Sequence, residues 1–381
     1  MTSPDSQSRS NSTDAEQTLR DFLAQFAKKR AEYEATQIKC GIVGRSGVGK
    51  SSLMNAIVDK KLAPVGSSKE TTLEAHEYVH RGLVLVDLPG CGTKTYPTKT
   101  YVGQLSLKSY DFFIFATDAR FFEDEATVYD MLAVQLKKPC FLTRNKFDLA
   151  LSNAIDDGST LSEGELKQEI EGDIRKNLAP HVVEKIYMVS SRKPTMYDLP
   201  DLLEDITKTF SGMKRMRLEN DFAALTREAL EQKKKNALQV AAWYAGGAAL
   251  NGLNPIPGLD VAIDVAMLIK MVYDVSSIYN ITPEQQSYWE KMMGGPQGIA
   301  LITKMAALMS KYGTEAAVTV VLKTLGKREF TNVFKYVLPF IGPLVASGAG
   351  YYLTYNFGAS VVEEYHAMAE ELLAECLRRQ G

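Results

Sequence analysis

The spacing of apolar residues takes three successive forms along this chain. Between residues 14 and 35 the apolar positions Leu19, Phe22, Leu23, Phe26 and Ala27 recur as on one helix face. Thr13-Asp14-Ala15-Glu16 reads as a capping box before them. From there to about residue 210, short apolar runs alternate with amphipathic stretches. The runs Ile38 to Val43, Leu83 to Val86, Phe112 to Ala116, Cys140 to Thr143 and Ile186 to Val189 show no clean period of two. Runs of that kind predict strands buried on both faces of a mainly parallel sheet. Glu123 to Leu136 and Glu163 to Leu178 carry helical spacing between them, which completes an α/β layering.

After Ser211 the strand signals fade and the rest reads as helical. Arg217 to Lys235 predicts a charged helix ending in Lys233-Lys234-Lys235. Thr282-Pro283-Glu284 gives an N-cap followed by Pro at the first helical position, and Gly294-Gly295-Pro296 stops that helix. A last helix is expected near Ser360 to Arg379. The stripe of the N-terminal helix finds no partner in an α/β unit, so it is expected to pack on this helical half. The expected organisation is a disordered tail (1–13), an N-terminal helix (14–36), an α/β domain (37–210) and a helical domain (211–381).

Asn236 to Leu259 and Tyr336 to Val362 hold no charged residue, and each matches a bilayer span of about 20 residues. Pro255 and Pro257 interrupt the first, and Pro339, Pro343, Gly348 and Gly350 the second. Core helices, apolar all round, read the same way. The pattern favours core helices and leaves membrane contact open, with Lys233-Lys234-Lys235 read as a solvated face or a contact for anionic lipid.

With 381 residues there is room for two domains, and 45% apolar against 24% charged residues is ordinary for a soluble chain. A net charge of -2 provides no basic field, and no basic, aromatic-interleaved patch follows, so no nucleic-acid partner is expected. Cys40, Cys91, Cys140 and Cys376 are scattered, as suits thiols in a reducing compartment. The first residues lack a basic and apolar leader, and Thr2 stands where N-myristoylation needs Gly. Cytoplasmic placement is expected.

The candidate chemistry begins at Gly44-Arg45-Ser46-Gly47-Val48-Gly49-Lys50-Ser51, which fits G-x-x-x-x-G-K-[ST] between a predicted strand and a helix that continues through Ser52. Glycines there let backbone N–H groups turn inward on phosphate oxygens, and the helix N-terminus adds positive potential. Lys50 is expected on the β- and γ-phosphates and the Ser51 hydroxyl on Mg²⁺. Asp87-Leu88-Pro89-Gly90 closes the next strand with D-x-x-G, an acid for Mg²⁺ and a Gly90 N–H for the γ-phosphate. Asn145-Lys146-Phe147-Asp148 fits N-K-x-D: Asp148 can accept from N1–H and the 2-amino group of guanine, a pair of donors that adenine lacks. Lys146 would lie along the base, and Ser190-Ser191-Arg192 stands where a backbone N–H would meet O6. The nucleotide expected is therefore GTP or GDP with Mg²⁺. In the polar loop Ser67 to Thr72, Thr72, or else Thr71, is expected to complete the metal shell. Where Ras-like switches carry a water-orienting glutamine after D-x-x-G, this chain has Cys91, which predicts slow hydrolysis unless another loop or chain supplies the group.

The order of these motifs resembles the immunity-related, or interferon-inducible, GTPases. Asp87-Leu88-Pro89-Gly90-Cys91-Gly92-Thr93 is similar to that family's D-L-P-G-x-G-T, and Tyr110-Asp111-Phe112-Phe113-Ile114 to its Y-D-F-F-I strand. Ala119-Arg120-Phe121 and Met196-Tyr197-Asp198-Leu199-Pro200 add to the match. The resemblance implies a Ras-like P-loop GTPase domain, α/β with a mainly parallel sheet, and an all-α domain built from N- and C-terminal segments. It also implies dynamin-like self-assembly through the GTPase domains, hydrolysis stimulated by assembly, and peripheral association with intracellular membranes. A family glutamate at the dimer interface maps onto Glu70, which otherwise reads as a solvated loop carboxylate. A second reading, a nucleotide-gated module whose helical domain captures a protein partner, stays open beside self-assembly.

Overall fold

The computed structural model describes residues 4–65, 74–90, 95–97, 100–118, 123–180, 183–252, 265–321 and 342–380. The chain divides into two compact units, Thr36–Thr226 with Cys376–Gly381, and Met1–Ala35 with Arg227–Glu375.

The first unit is built on six strands: β1 (Ile38–Val43), β2 (His76–His80), β3 (Leu83–Asp87), β4 (Phe112–Thr117), β5 (Cys140–Arg144) and β6 (Ile186–Met188). They lie in the order β2-β3-β1-β4-β5-β6, every neighbouring pair parallel except β2 with β3. Alternate side chains leave opposite faces of a strand, and here both faces are covered. Ile38, Cys40, Ile42, Leu85, Phe112 and Ile114 pack against α2 (Lys50–Val58), α7 (Leu199–Thr209) and α8 (Gly212–Asp221). Val43, Val86, Phe113, Phe115 and Leu142 pack against α3 (Tyr101–Gln104), α4 (Glu123–Asp130) and α6 (Glu163–Leu178). That double burial is why the strands read as unbroken apolar runs. Helix α5 (Phe147–Asp156) follows β5 directly. Helix α6 starts at a capping box in which Glu165 N donates to Ser162 Oγ (3.3 Å) and Ser162 N to Glu165 Oε2 (2.8 Å).

Three sequence expectations change in this unit. Strand β2 was not anticipated; it is the antiparallel edge, mostly exposed, and His76-Glu77-Tyr78-Val79-His80 offers little apolar signal. The expected helix Arg217 to Lys235 is broken: α8 stops at Asp221, Phe222 is extended, and Ala223 N donates to Ile57 O at 2.7 Å. The expected boundary at 210 falls too early, because Leu218, Phe222 and Leu225 belong to the core beneath the sheet. Asp221 explains the break. Fully buried, it accepts from Gly82 N at 3.0 Å and lies 3.3 Å from Arg81 Nε and 3.0 Å from Arg217 Nε.

The second unit holds α1 (Pro4–Ala35), α9 (Arg227–Gly252), α10 (Val265–Ile278), α11 (Pro283–Met292), α12 (Gly295–Tyr312) and most of α13 (Gly342–Gln380). Helix α1 begins at Pro4, where a missing N–H costs nothing, so residues 4–13 are helical rather than a loose tail and Thr13–Glu16 lie inside the helix. It packs along α9, with Tyr33 on Trp243 (ring centroids 5.7 Å) and the Arg30 guanidinium 4.7 Å over the Tyr244 ring. Gly246 permits the approach, since a Cβ there would stand 2.7 Å from Phe26 Cβ. Helix α13 starts well before residue 360 and buries Leu353, Phe357, Val361 and Val362.

The lysine triplet is no uniform solvated face. Lys233 is 1% exposed and donates to Ile278 O at 2.6 Å, at the carbonyl end of α10, where a cation is favoured. Lys234 pairs with Glu363 at 2.7 Å. Of the charge-free stretches, residues 236–252 lie in α9 and 342–362 in α13, and the remainder lie outside the described residues. Among the described residues, no helix is long and apolar enough to cross a membrane.

Replacing Asp221 with Ala should leave two arginines facing a void and cost about 3–5 kcal/mol of stability. Urea unfolding monitored by far-UV circular dichroism reads this directly; a midpoint within error of the parent would remove Asp221 as the anchor of α8.

Candidate functional site

The strand order places the carboxyl ends of β3, β1, β4, β5 and β6 side by side, so the loops after them converge on one edge of the sheet. That edge is where open parallel sheets bind ligands. Gly44 leaves β1 so closely that a Cβ on it would stand 2.2 Å from Ala116 O of β4. Gly49, at φ 91°, caps α2 in the left-handed region, and a Cβ there would meet Asn145 Nδ2 at 2.7 Å. Between them Ser46 and Gly47 are exposed and Val48 is buried. Arg45 turns outward to α4, its Nη2 donating to Asp124 Oδ1 at 2.7 Å and its Nε 3.8 Å from the buried Glu125.

Lys50 is 6% exposed and spans the loop from beneath, donating to Gly44 O (3.0 Å) and Arg45 O (3.3 Å). Its Nζ lies 3.7 Å from Asp87 Oδ1, and Ser51 Oγ donates to Asp87 Oδ2 at 3.3 Å. Asp87 is brought there by its register beside Ile42, and Leu88 N donates to Ile42 O at 3.1 Å. A hydroxyl and a carboxylate held this close are hard oxygen donors of the kind Mg²⁺ takes alongside phosphate, so the residues present fit that ion. Gly90 follows, half-buried, and Ser52, next to Ser51 in α2, is half-buried as well. Glu70, Thr71, Thr72, Cys91 and Ala119-Arg120-Phe121 lie outside the described residues.

Across the loop, Asn145 is buried and bonded in both directions. Its Nδ2 donates to Val48 O at 2.9 Å, and its Oδ1 accepts from Ser191 Oγ (3.0 Å) and Ser191 N (3.3 Å). Lys146, in the left-handed region at φ 57°, reaches Gly47 O at 2.5 Å and pairs with Asp118. Arg144 below donates to Asn145 O, and burial holds its guanidinium below its ordinary value against the pull of Asp118. Asp148 stands in the first turn of α5, half-buried, and among the described residues no hydrogen bond reaches its carboxylate. The buried Ser190 hydroxyl accepts from Arg192 N (3.3 Å) and Lys193 N (3.2 Å), which folds the third loop back on itself with Arg192 exposed.

Sequence reasoning missed two supports. Tyr101, fully buried, donates to Pro89 O at 2.7 Å and holds the turn that carries Gly90. Asp198 accepts from Met188 N (2.8 Å) and Lys167 Nζ (2.6 Å), tying the end of β6 to α6. The pattern around Asp198 had signalled only resemblance, and Tyr101 gave no signal at all.

A family model described as Interferon-inducible GTPase (IIGP) matches residues 6–268. The chain belongs to that family. GTP binding and hydrolysis follow from membership. Interferon-inducible GTPase 5 of Bos taurus is 25% identical over 361 residues, which covers 92% of this chain and 77% of that protein. Interferon-inducible GTPase 1 of Mus musculus is 27% identical over 246 residues, 61% of this chain and 58% of that one. A solved structure of Aquifex aeolicus Era bound to GDP.AlF4- overlaps 57% of this chain and 68% of its own at 18% identity, with a TM-score of 0.33 that carries no inference.

Asn145→Ala should untie the phosphate loop from the Ser191 loop. Losing three hydrogen bonds worth about 1 kcal/mol each in such settings predicts release of a fluorescent GDP analogue at least about tenfold faster by stopped flow. An unchanged release rate would show that the tether does not hold the loops for nucleotide.

Proposed function

We propose that this GTPase hydrolyses GTP with Mg²⁺ in a site that a second copy of the chain completes, at or beside an intracellular membrane. The observation that carries the nucleotide part is the gathering of Lys50, Ser51 and Asp87 within 3.7 Å beneath the phosphate loop, next to the Asn145–Asp148 loop. In this reading the loop N–H groups and Lys50 hold the phosphates and oppose the charge that builds on them. Ser51, Asp87 and Thr72 would hold Mg²⁺, which when bound neutralises phosphate charge. The Gly90 N–H fixes the γ-phosphate from the turn that Tyr101 supports.

Guanine selection is assigned to Asp148. A carboxylate that accepts both donors of guanine would be left unsatisfied by adenine, and such a loss discriminates strongly. Lys146 lines the base with its stem. Ser190, Ser191 and Arg192 supply the N–H for O6.

Assembly is supported by family resemblance and by the nature of the residues gathered here. Lys50, Ser51 and Asp87 are engaged with phosphate and metal chemistry, and Cys91 replaces the water-orienting glutamine of Ras-like switches. Glu70 is the proposed interface residue. Membrane association would be peripheral, since no described helix is fit to cross a bilayer.

Turnover per molecule should rise with protein concentration, and Glu70→Ala should flatten that rise while leaving the dilute rate in place. Measuring GTPase rate over a wide concentration range, with and without liposomes, checks both parts. A flat profile in the parent chain rules out self-activation, and a liposome pellet free of protein in both GTP-analogue and GDP states rules out the membrane part.

Asp148→Asn should weaken GTP binding tenfold or more and improve binding of xanthosine triphosphate, whose 2-oxo group pairs with an amide. Competition between the two nucleotides for a fluorescent analogue measures this, and retained guanine preference would reassign the base-reading residue.

A further inference from the structure

In the helical unit, well away in sequence from every nucleotide motif, His366 and Glu370 stand one turn apart on α13 and face Glu231 of α9. His366 Nε2 is 3.3 Å from Glu231 Oε1 and 4.0 Å from Glu370 Oε1, and one ligand atom from each residue lies within 4.8 Å of the others. The imidazole is fixed by burial at 5% exposure, while the two carboxylate side chains are 59% and 54% exposed. His366 also packs edge-to-face on Tyr279, ring centroids 5.9 Å apart.

Two further observations point the same way. The Nδ1 atom of this buried imidazole and the buried Tyr279 hydroxyl have no hydrogen-bond partner among the described residues. Nδ1 makes no bond, so Nε2 is the ring nitrogen that faces the carboxylates, where a bound cation would be shared by all three side chains. Three carboxylates, Glu231, Glu363 and Glu370, also act on the Lys234 ammonium. Its hydrogen bond to Glu363, followed by the charges of Glu363, Glu231 and Glu370, raises Lys234 above its ordinary value. Burial, and after it the same three charges, raises the Tyr279 hydroxyl.

We propose that His366, Glu231 and Glu370 form a binding site for a divalent transition metal, of which Zn²⁺ is the working probe, that clips α9 to α13. One imidazole nitrogen and two carboxylate oxygens are ligands that Zn²⁺ accepts. Ligand bonds of about 2.0–2.2 Å in a tetrahedral shell put ligand atoms roughly 3.4 Å apart. Rotation of the two exposed glutamates closes that gap without moving the buried histidine. Three protein ligands leave at least one position for water. The unbonded Nδ1 and the exposed carboxylates set affinity on the order of micromolar, well short of closed structural zinc sites, because ligand-orienting partners typically contribute 10–100-fold. Binding to the folded state alone stabilises it by mass action.

The test uses the full chain, stripped with chelator and then saturated with GDP and Mg²⁺ so that the nucleotide site is filled. Zn²⁺ is titrated in competition with a chromophoric chelator, and thermal unfolding is followed with and without Zn²⁺. One Zn²⁺ per chain and a zinc-dependent rise in melting temperature are expected. Glu231→Gln and Glu370→Gln, both on exposed side chains that should fold normally, should each lower affinity at least tenfold and abolish the rise. His366→Gln should lower affinity further, and Glu371→Gln, outside the cluster, should leave it unchanged. Equal zinc affinity in the parent, Glu231→Gln and Glu370→Gln chains, or no zinc bound at the parent, overturns the site.

Discussion

The candidate site depends on one buried amide. Loops after β1, β5 and β6 leave three different strands, and strand register alone fixes only where each begins. Asn145 joins them by donating to the phosphate loop at Val48 O and accepting from Ser191. Asn145 and Val48 are buried and Ser191 is half-buried, so a break on the Val48 side leaves a buried polar group unsatisfied, and the arrangement is stiffer than its few hydrogen bonds suggest. The absence of a Cβ at Gly49 is part of the same device, because Asn145 Nδ2 occupies the space a Cβ would need. Glycine is thus required at that position twice, once for its left-handed backbone and once for room.

What could be read from the sequence follows from how each element is stabilised. Strands β1, β3, β4, β5 and β6 are buried on both faces and announce themselves as apolar runs. Edge strand β2 draws its stability from the β3 ladder, and no side-chain pattern advertises it. The break after α8 is hidden for a similar reason: Arg217 and Asp221 look like ordinary surface charges four apart on a helix, yet Asp221 is buried and also takes Arg81 and Gly82 N, more than a hundred residues earlier, as partners. The motif residues stand out in the sequence because phosphate and guanine chemistry constrains residue type at fixed spacing, and the fold gathers Lys50, Ser51 and Asp87. Tyr101 does not stand out, since a hydroxyl holding one carbonyl at Pro89 can come from many places in the chain.

The helical unit shows why the charge-free stretches mimic membrane spans. Along α9, Ala237, Val240, Ala241, Trp243, Tyr244, Ala245 and Ala249 are all buried, which no single-faced helix of a small bundle would require. Helix α9 meets α1 on one side and α10 on another, so its apolar surface extends around the helix. Lys233 belongs to the same logic. A buried ammonium is costly unless it is matched, and here it meets the carbonyl end of α10, where the helix dipole favours positive charge. Sequence shows three lysines in a row, and only the packing separates the internal one from its neighbours.

The division of labour between Asn145 and Asp148 follows from what each has left to offer. The amide of Asn145 is committed on both its oxygen and its nitrogen to the loops on either side, so it positions the site and has little capacity to read a base. Asp148, three residues later and in the first turn of α5, has its carboxylate clear of hydrogen bonds from the described residues. A half-buried carboxylate in that position is costly without donors, and guanine brings two in one plane. The neighbouring Lys146 has its ammonium on Gly47 O and Asp118, so in the proposed reading only its methylene stem is left for the base. In the proposed reading guanine selection falls to Asp148, and Asn145 serves it by holding the phosphate loop to the Ser191 loop.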